Sequence, residues 1–150
     1  IVEDYMLLAV PKKYMMLQKA EKREGEKYPW MDISMMPNEF IIQDNSCYVR
    51  QEIDQIFEEY GKELKPKMIV NSSMLAMQTL ERGMGFCFIS EVFLPYITNT
   101  KDIDFFCIGK NKVKKTKTGI IYLKNKILSR QEKYCISVLK EKIINGEIGA

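Results

Sequence analysis

Histidine is missing from this 150-residue chain altogether. That removes the commonest general base and the commonest metal ligand, so His-based triads and zinc sites are excluded. Cysteine is sparse: Cys47, Cys87, Cys107 and Cys135 are widely spaced and form no C-x-x-C pair. The contexts Phe86-Cys87-Phe88, Phe106-Cys107-Ile108 and Tyr134-Cys135-Ile136 are apolar, so buried free thiols in a reducing cytoplasm are expected rather than a disulfide framework. No apolar run reaches the ~18 residues of a membrane span, and no signal-peptide pattern opens the chain. Acidic residues are absent between Phe105 and Gln131, where eight of the 23 basic residues fall, leaving 15 basic against 20 acidic elsewhere. The net charge of +3 therefore belongs to one segment. The first residue, Ile1, leads almost directly into an apolar stretch, as in a piece cut from a longer protein.

With 46% apolar and 29% charged residues, the chain can bury a core without staples and is not expected to be disordered. Tyr5-Met6-Leu7-Leu8-Ala9-Val10 is a continuous apolar run stopped by Pro11, the pattern of a buried strand. Lys12 to Pro29 lacks periodicity and reads as loop with a short helix. Phe40-Ile41-Ile42 is a short strand, after which Asp44-Asn45-Ser46 offers helix-capping side chains. Val49, Ile53, Ile56, Phe57 and Tyr60 then lie on one helical face, and Gly61 closes that helix. The pattern repeats: strand Met68-Ile69-Val70, caps Asn71-Ser72-Ser73, helix stripe Ala76, Met77 and Leu80, and Gly83 as terminator. Phe86-Cys87-Phe88-Ile89 and Phe105-Phe106-Cys107-Ile108 read as further strands, with Ser90 capping a short helix towards Pro95. Val113 to Leu123 reads as extended. Ser129 and Glu132 form a capping box before a last helix with Cys135, Val138, Leu139 and Lys142-Ile143 inward. Strands and helices alternating at this spacing predict βαβ units, an α/β fold with a mainly parallel sheet covered on both faces.

Two places share one geometry. Gln43-Asp44-Asn45-Ser46 and Asn71-Ser72-Ser73 each follow a strand and open a helix. Ligands of open parallel sheets bind at the carboxyl ends of strands, where helix N-termini present unpaired N–H groups and positive dipole ends. The residues alone leave two readings open: ordinary caps serving their own helices, or a crevice for a small polar or anionic molecule. Gly83-Met84-Gly85 follows a helix rather than opening one, so it reads as a cap and turn, not a phosphate loop. The lysines at 110–117 lack interleaved aromatics and read as a solvated strand rather than a nucleic-acid contact. The ten methionines read mostly as core filler, with exposed ones in Tyr14-Met15-Met16 and Met35-Met36 at an interface. Glu58-Glu59 and Asp102/Asp104 have no nucleophile nearby, and nothing supports an enzyme, a cofactor or a metal.

In order along the chain, these segments resemble the effector-binding domain of LysR-type transcription regulators. Tyr5 to Pro11 resembles the strand crossing from the first lobe to the second. Trp30-Met31-Asp32-Ile33 and Glu39-Phe40-Ile41-Ile42 are similar to the entry into lobe two. Asn71 to Ser90 is similar to the family's polar cap, apolar helix, G-x-G turn and buried strand, and Ile120-Ile121-Tyr122-Leu123 with the final helix to its return into lobe one. The resemblance implies a type 2 periplasmic-binding-protein-like fold. Its implied divisions are 1–11 as crossover strand, 12–109 as a complete second lobe, and 110–150 as the return strand and helix of a partial first lobe. It implies effector contacts at Gln43, Asp44, Asn45, Ser46, Asn71, Ser72 and Ser73, then at the crossover (Val10, Pro11, Lys12) and the G-x-G turn (Gly85, Phe86). It also implies a cytoplasmic homo-oligomer without membrane contact, which reaches DNA only through a helix-turn-helix domain absent here. Cys47 resembles the reactive position of the peroxide-sensing subgroup, although the following helix offers no resolving cysteine. The competing class is an extracytoplasmic solute receptor of the same fold, which the free cysteines disfavour. A truncated first lobe would leave apolar surface open and promote association.

Overall fold

The computed structural model describes residues 2–144. Ile1, residues 145–150 and the side chain of Ile143, which belong to the expected outer segments, lie outside the described residues. The opening apolar run forms β1 (Val2–Pro11), followed by β2 (Phe40–Gln43), α1 (Tyr48–Glu59), β3 (Met68–Val70), α2 (Ser73–Glu81), β4 (Phe86–Ser90), β5 (Ile103–Cys107), β6 (Lys115–Thr118) and α3 (Arg130–Ile144). The sheet order is β3-β2-β4-β1-β5, with β6 paired to the outer half of β1.

Both faces of β1 are covered, which is why its sequence does not alternate. Met6, Leu8 and Val10 face α1 together with Phe40, Ile42 and Phe88, whereas Leu7 and Ala9 face α2 together with Ile41 and Cys87. On the α1 side the rings of Phe40 and Phe88 stack with centroids 5.7 Å apart, and Phe57 of α1 meets Phe40 edge-on at 5.1 Å. Such pairs add about 0.5–1.5 kcal/mol each beyond their buried area.

The expected mainly parallel sheet is only partly found. β2 runs parallel to β3 and β4, but β1 is antiparallel to β4, β5 and β6. Residues 12–39 begin β2 at the end of the sheet where β1 finishes, so no crossover intervenes and the two directions oppose. That stretch holds 3-10 turns instead of an α-helix. Met31 N donates to Cys107 O at 2.9 Å and Cys107 N to Pro29 O at 2.8 Å, sealing the outer edge of β5. Trp30 locks the corner: its Nε1 donates to Gly109 O at 2.8 Å while the Arg23 guanidinium lies 3.8 Å from the ring centroid.

Several expectations need correcting. The strand at 105–108 starts at Ile103 instead, and of 113–123 only Lys115–Thr118 pairs. The inner face expected of α3 is not buried: Cys135 and Leu139 are exposed and Val138 is only half-buried. Among the described residues no second layer packs on that helix. Its capping box does form, with Glu132 N donating to Ser129 Oγ at 3.2 Å and Ser129 N to Glu132 Oε2 at 2.9 Å. Met15 and Met35 are exposed as expected, whereas Met16 and Met36 are buried.

Candidate functional site

Parallel pairing of β2 with β3 sets Gln43 opposite Val70, so the two polar segments that follow them are neighbours. Asp44 N donates to Val70 O at 2.8 Å, and Cys47 Sγ lies 3.9 Å from Asn71 O. Ser72 caps α2 by accepting from Leu75 N at 3.2 Å. Asp44 does not cap α1. Its carboxylate accepts from Ser46 N at 2.9 Å and from the Ser46 hydroxyl, a local turn that holds it below its ordinary pKa. Cys47 occupies the N-cap with no side-chain bond into the helix, and Asn45 is exposed. The first N–H groups of both helices, Tyr48 and Val49 in α1 and Ser73 and Met74 in α2, have no intrahelical acceptors. Both positive dipole ends thus open on the same end of the sheet.

Gln43 lies between them and is fully buried. Its Nε2 makes a long bond to Ser73 Oγ at 3.4 Å, and its Oε1 has no partner. A buried amide with an unmade bond costs about 1–3 kcal/mol, so such a group calls for a reason.

Sequence reasoning missed the other half of this end. Antiparallel pairing sets Asp4 of β1 opposite Thr116 of β6, and β4 delivers Ser90 beside them. Asp4 is buried and accepts from the Ser90 hydroxyl and from Val92 N at 3.0 Å. Thr116 is also buried, and its Oγ1 has no partner. Between β6, the start of α1 and the 3-10 turn Glu91–Tyr96 lies a cavity of about 320 Å³, lined by Met6, Tyr48, Val49, Phe93 and Thr116 among others. Ser90 was legible as a small polar residue at a strand end, though its expected capping role is not found. Asp4 and Thr116 carried no signal, because only the register of β1 on β6 unites them. Lys114 fixes β6 to α1 through Glu52 at 2.8 Å and Gln55 at 3.2 Å. Burial alone would raise the Glu52 pKa, but Lys114 and the Tyr48 hydroxyl outweigh it and bring it below normal.

Val10, Pro11 and Lys12, with Gly85 and Phe86, are not brought to this end. Since Ala9 pairs with Cys87, they collect at the opposite end of the sheet. Val10 and Phe86 are core residues, and a Cβ on Gly85 would stand 2.3 Å from Glu39 O. Gly83, at φ +69°, terminates α2. Cys87 and Cys107 are buried, and burial pushes both thiols up, Cys107 to about 11. Cys135, expected to be buried, is exposed. Among the described residues no cluster of His, Cys, Asp or Glu could hold a metal, and no helix is long and apolar enough to cross a membrane.

No family model and no curated protein matches this sequence. The fold is nevertheless that of the effector-binding domains of LysR-family transcriptional regulators, α/β and periplasmic-binding-protein-like. The effector-binding domain of QuiR in complex with shikimate superposes with a TM-score of 0.60 at 14% identity, covering 93% of this chain and 63% of that one. The regulatory domain of CcmR from Synechocystis PCC6803, in complex with 2-PG, gives 0.63 at 12% identity with the same coverages. HinK of Pseudomonas aeruginosa, a LysR family regulator, gives 0.62 at 13%, with 95% of this chain on 46% of that one. The chain therefore spans less than two thirds of each of these proteins, and at these identities the likeness is one of fold.

Proposed function

We propose that this chain is the effector-sensing portion of a LysR-type transcription regulator, and that a small, anionic molecule binds where α1 and α2 begin. The observation that carries this is the pair of helix N-termini set side by side by the parallel pairing of β2 with β3, with the buried Gln43 acceptor between them open to a donor group on the ligand. Solved complexes of QuiR with shikimate and of CcmR with 2-PG support it at the level of fold. The double pairing of β1 supports dividing the chain into a crossover (1–11), one complete lobe (12–109) and a returning segment (110–150). A ligand touching both α1 and β6 would bias their separation, and a homo-oligomer would carry that bias to DNA-binding domains outside this chain, in the cytoplasm. No nucleophile–base pair is part of this reading, which is of a sensor rather than an enzyme.

A thermal-shift screen of small organic acids tests it. A true effector at 100-fold its Kd stabilises the chain by about 2.7 kcal/mol. Acids that leave the melting temperature unchanged across the screen would argue against a sensing site here. The oligomer is tested separately. Ile121 and Ile127 are more than nine-tenths exposed and Leu123 is also open, so the chain should associate in sedimentation experiments. Lysine at those three positions should release monomers, and a wild-type chain already monomeric at high concentration would refute this part.

A further inference from the structure

The stretch between β1 and β2 builds a separate cavity, which shares no lining residue with α1 or α2. Glu21 N donates to Trp30 O at 2.8 Å and Trp30 N to Glu21 O at 2.7 Å, which closes residues 22–29 into a loop. Gly25, at φ +79°, turns that loop, and Glu26 N donates back to Arg23 O at 3.2 Å. The fold of the loop gathers Lys22, Arg23 and Lys27 around a cavity of about 440 Å³, which Leu17, Ala20 and Pro29 also line. Ligand pockets span about 300–1,000 Å³, so a small organic molecule fits. The acidic groups nearby are committed. Glu26 accepts from the Tyr5 hydroxyl at 2.9 Å, while Glu91 pairs with Lys27 and accepts from the Tyr28 hydroxyl at 2.7 Å.

Arg23 is half-buried, and its guanidinium lies 3.8 Å from the centre of the Trp30 ring. That contact uses the face of the cation and leaves its edge, with five N–H donors, unused. Among the described residues neither Arg23 nor Lys22 makes a side-chain hydrogen bond or an ion pair. Arginine is seldom withdrawn from water without a partner. A guanidinium held flat by an aromatic ring is a pre-set fork for a carboxylate or a phosphate. We propose that this cavity is a second ligand site, which takes an organic oxyanion, carboxylate or phosphate, carried on a compact apolar body. The oxyanion pairs with the edge of Arg23 and with Lys22, and the body covers Leu17, Ala20 and Pro29. The site stands independently of the one at the starts of α1 and α2.

NMR titration of the 150-residue chain with cyclohexanecarboxylate, cyclohexyl phosphate, inorganic phosphate and cyclohexanol tests this. Trp30, the single tryptophan, gives one indole N–H signal, fixed on Gly109 O at 2.8 Å beside Arg23. Both cyclohexyl acids should move that signal and the amides of Lys22, Arg23 and Tyr28 along one saturating curve. Inorganic phosphate should bind roughly fivefold more weakly than cyclohexyl phosphate, since it buries no apolar surface. Cyclohexanol, without charge, should be weaker than either acid by roughly tenfold. Arg23→Lys keeps the charge and loses the fork, so affinity should fall roughly tenfold, and Arg23→Leu should abolish binding. Leu17→Ser, at an exposed position, should remove the advantage of cyclohexyl phosphate over inorganic phosphate. The rest of each amide spectrum shows whether the variant is folded. A folded Arg23→Leu chain that binds as tightly as wild type would overturn the second site, as would acids that move none of the amides from Lys22 to Trp30. Shifts confined to Tyr48, Val49, Ser73 and Met74 would likewise sink it while leaving the sensing site standing. Inorganic phosphate binding as tightly as cyclohexyl phosphate would overturn the organic class.

Discussion

Replacing Gln43 by methionine should make the protein more stable and a poorer binder. The amide is fully buried and has one long bond to Ser73 Oγ and an unsatisfied Oε1. Leaving that acceptor unmade costs about 1–3 kcal/mol, and losing the 3.4 Å bond forfeits about 0.5 kcal/mol. Methionine has similar length, no polar demand and enough flexibility to fill the same space. The balance favours Gln43→Met by about 1 kcal/mol, or about 3 °C in Tm for a domain of this size. With an m-value of about 2 kcal/mol/M, the urea midpoint should rise by about 0.5 M. Trp30, the single tryptophan, is packed against Gly109 and Arg23 and reports the transition by fluorescence. Calorimetric titration with an acid that binds the wild type should show affinity falling at the same time. A variant less stable by 1 kcal/mol would mean that the amide is satisfied in the native state. Unchanged affinity would mean that Gln43 plays no part in binding. Either result refutes the reasoning.

Gly85→Ala should destabilise the fold by about 2–4 kcal/mol in urea, because its Cβ would stand 2.3 Å from the Glu39 carbonyl and near Ile41; a midpoint within error of wild type would contradict this. In the native protein, a thiol reagent should modify Cys135 quickly and half-buried Cys47 more slowly, and should reach Cys87 and Cys107 only on unfolding, as peptide mapping after timed quench would show. Lys126, with the N–H and hydroxyl of Ser129, holds the Glu132 carboxyl down to about 2 from an ordinary 4.5. Because the folded pKa is the lower one, the capping box of α3 contributes fully above pH 4.5 and is lost as pH falls from there towards 2. Hydrogen-exchange protection at 130–133, taken relative to each amide's intrinsic rate at the same pH, should fall across that window, and Glu132→Gln should flatten the dependence.

Short periodic segments made most of the sheet and its two covering helices legible. Tyr5 to Val10, Phe40 to Ile42, the stripe from Val49 to Tyr60 and the Asn71–Leu80 unit all became the elements their patterns imply. These segments bury both strand faces, or one helix face, against each other, so local pattern and tertiary packing agree. What depended on pairing was not legible. Nothing in Asp4 or Thr116 announces that they oppose each other, since that follows from β1 extending past the main sheet to meet β6. The direction of β1 was hidden for a related reason, because residues 12–39 have no period from which a crossover could be argued. The α3 stripe gave the reverse error: Cys135, Val138 and Leu139 have helical spacing, but among the described residues no layer packs there to bury them.

Direction also explains why the site divides as it does. In a wholly parallel sheet the end of β1 would lie beside the caps of α1 and α2, whereas the G-x-G turn, which precedes β4, lies at the opposite end in either arrangement. With β1 reversed, its start rather than its finish reaches the end where α1 and α2 begin, so Asp4 and Met6 take the places that a parallel reading gives to Val10 and Pro11. At the far end Phe86 lies in the core and Gly85 is pressed on Glu39. At the near end, two buried polar side chains, Gln43 and Thr116, lack partners on strands that belong to different ladders. A donor offered to Gln43 and a partner offered to Thr116 would each make an interaction that the protein alone does not. That is the differential binding a sensor needs to shift a conformational equilibrium.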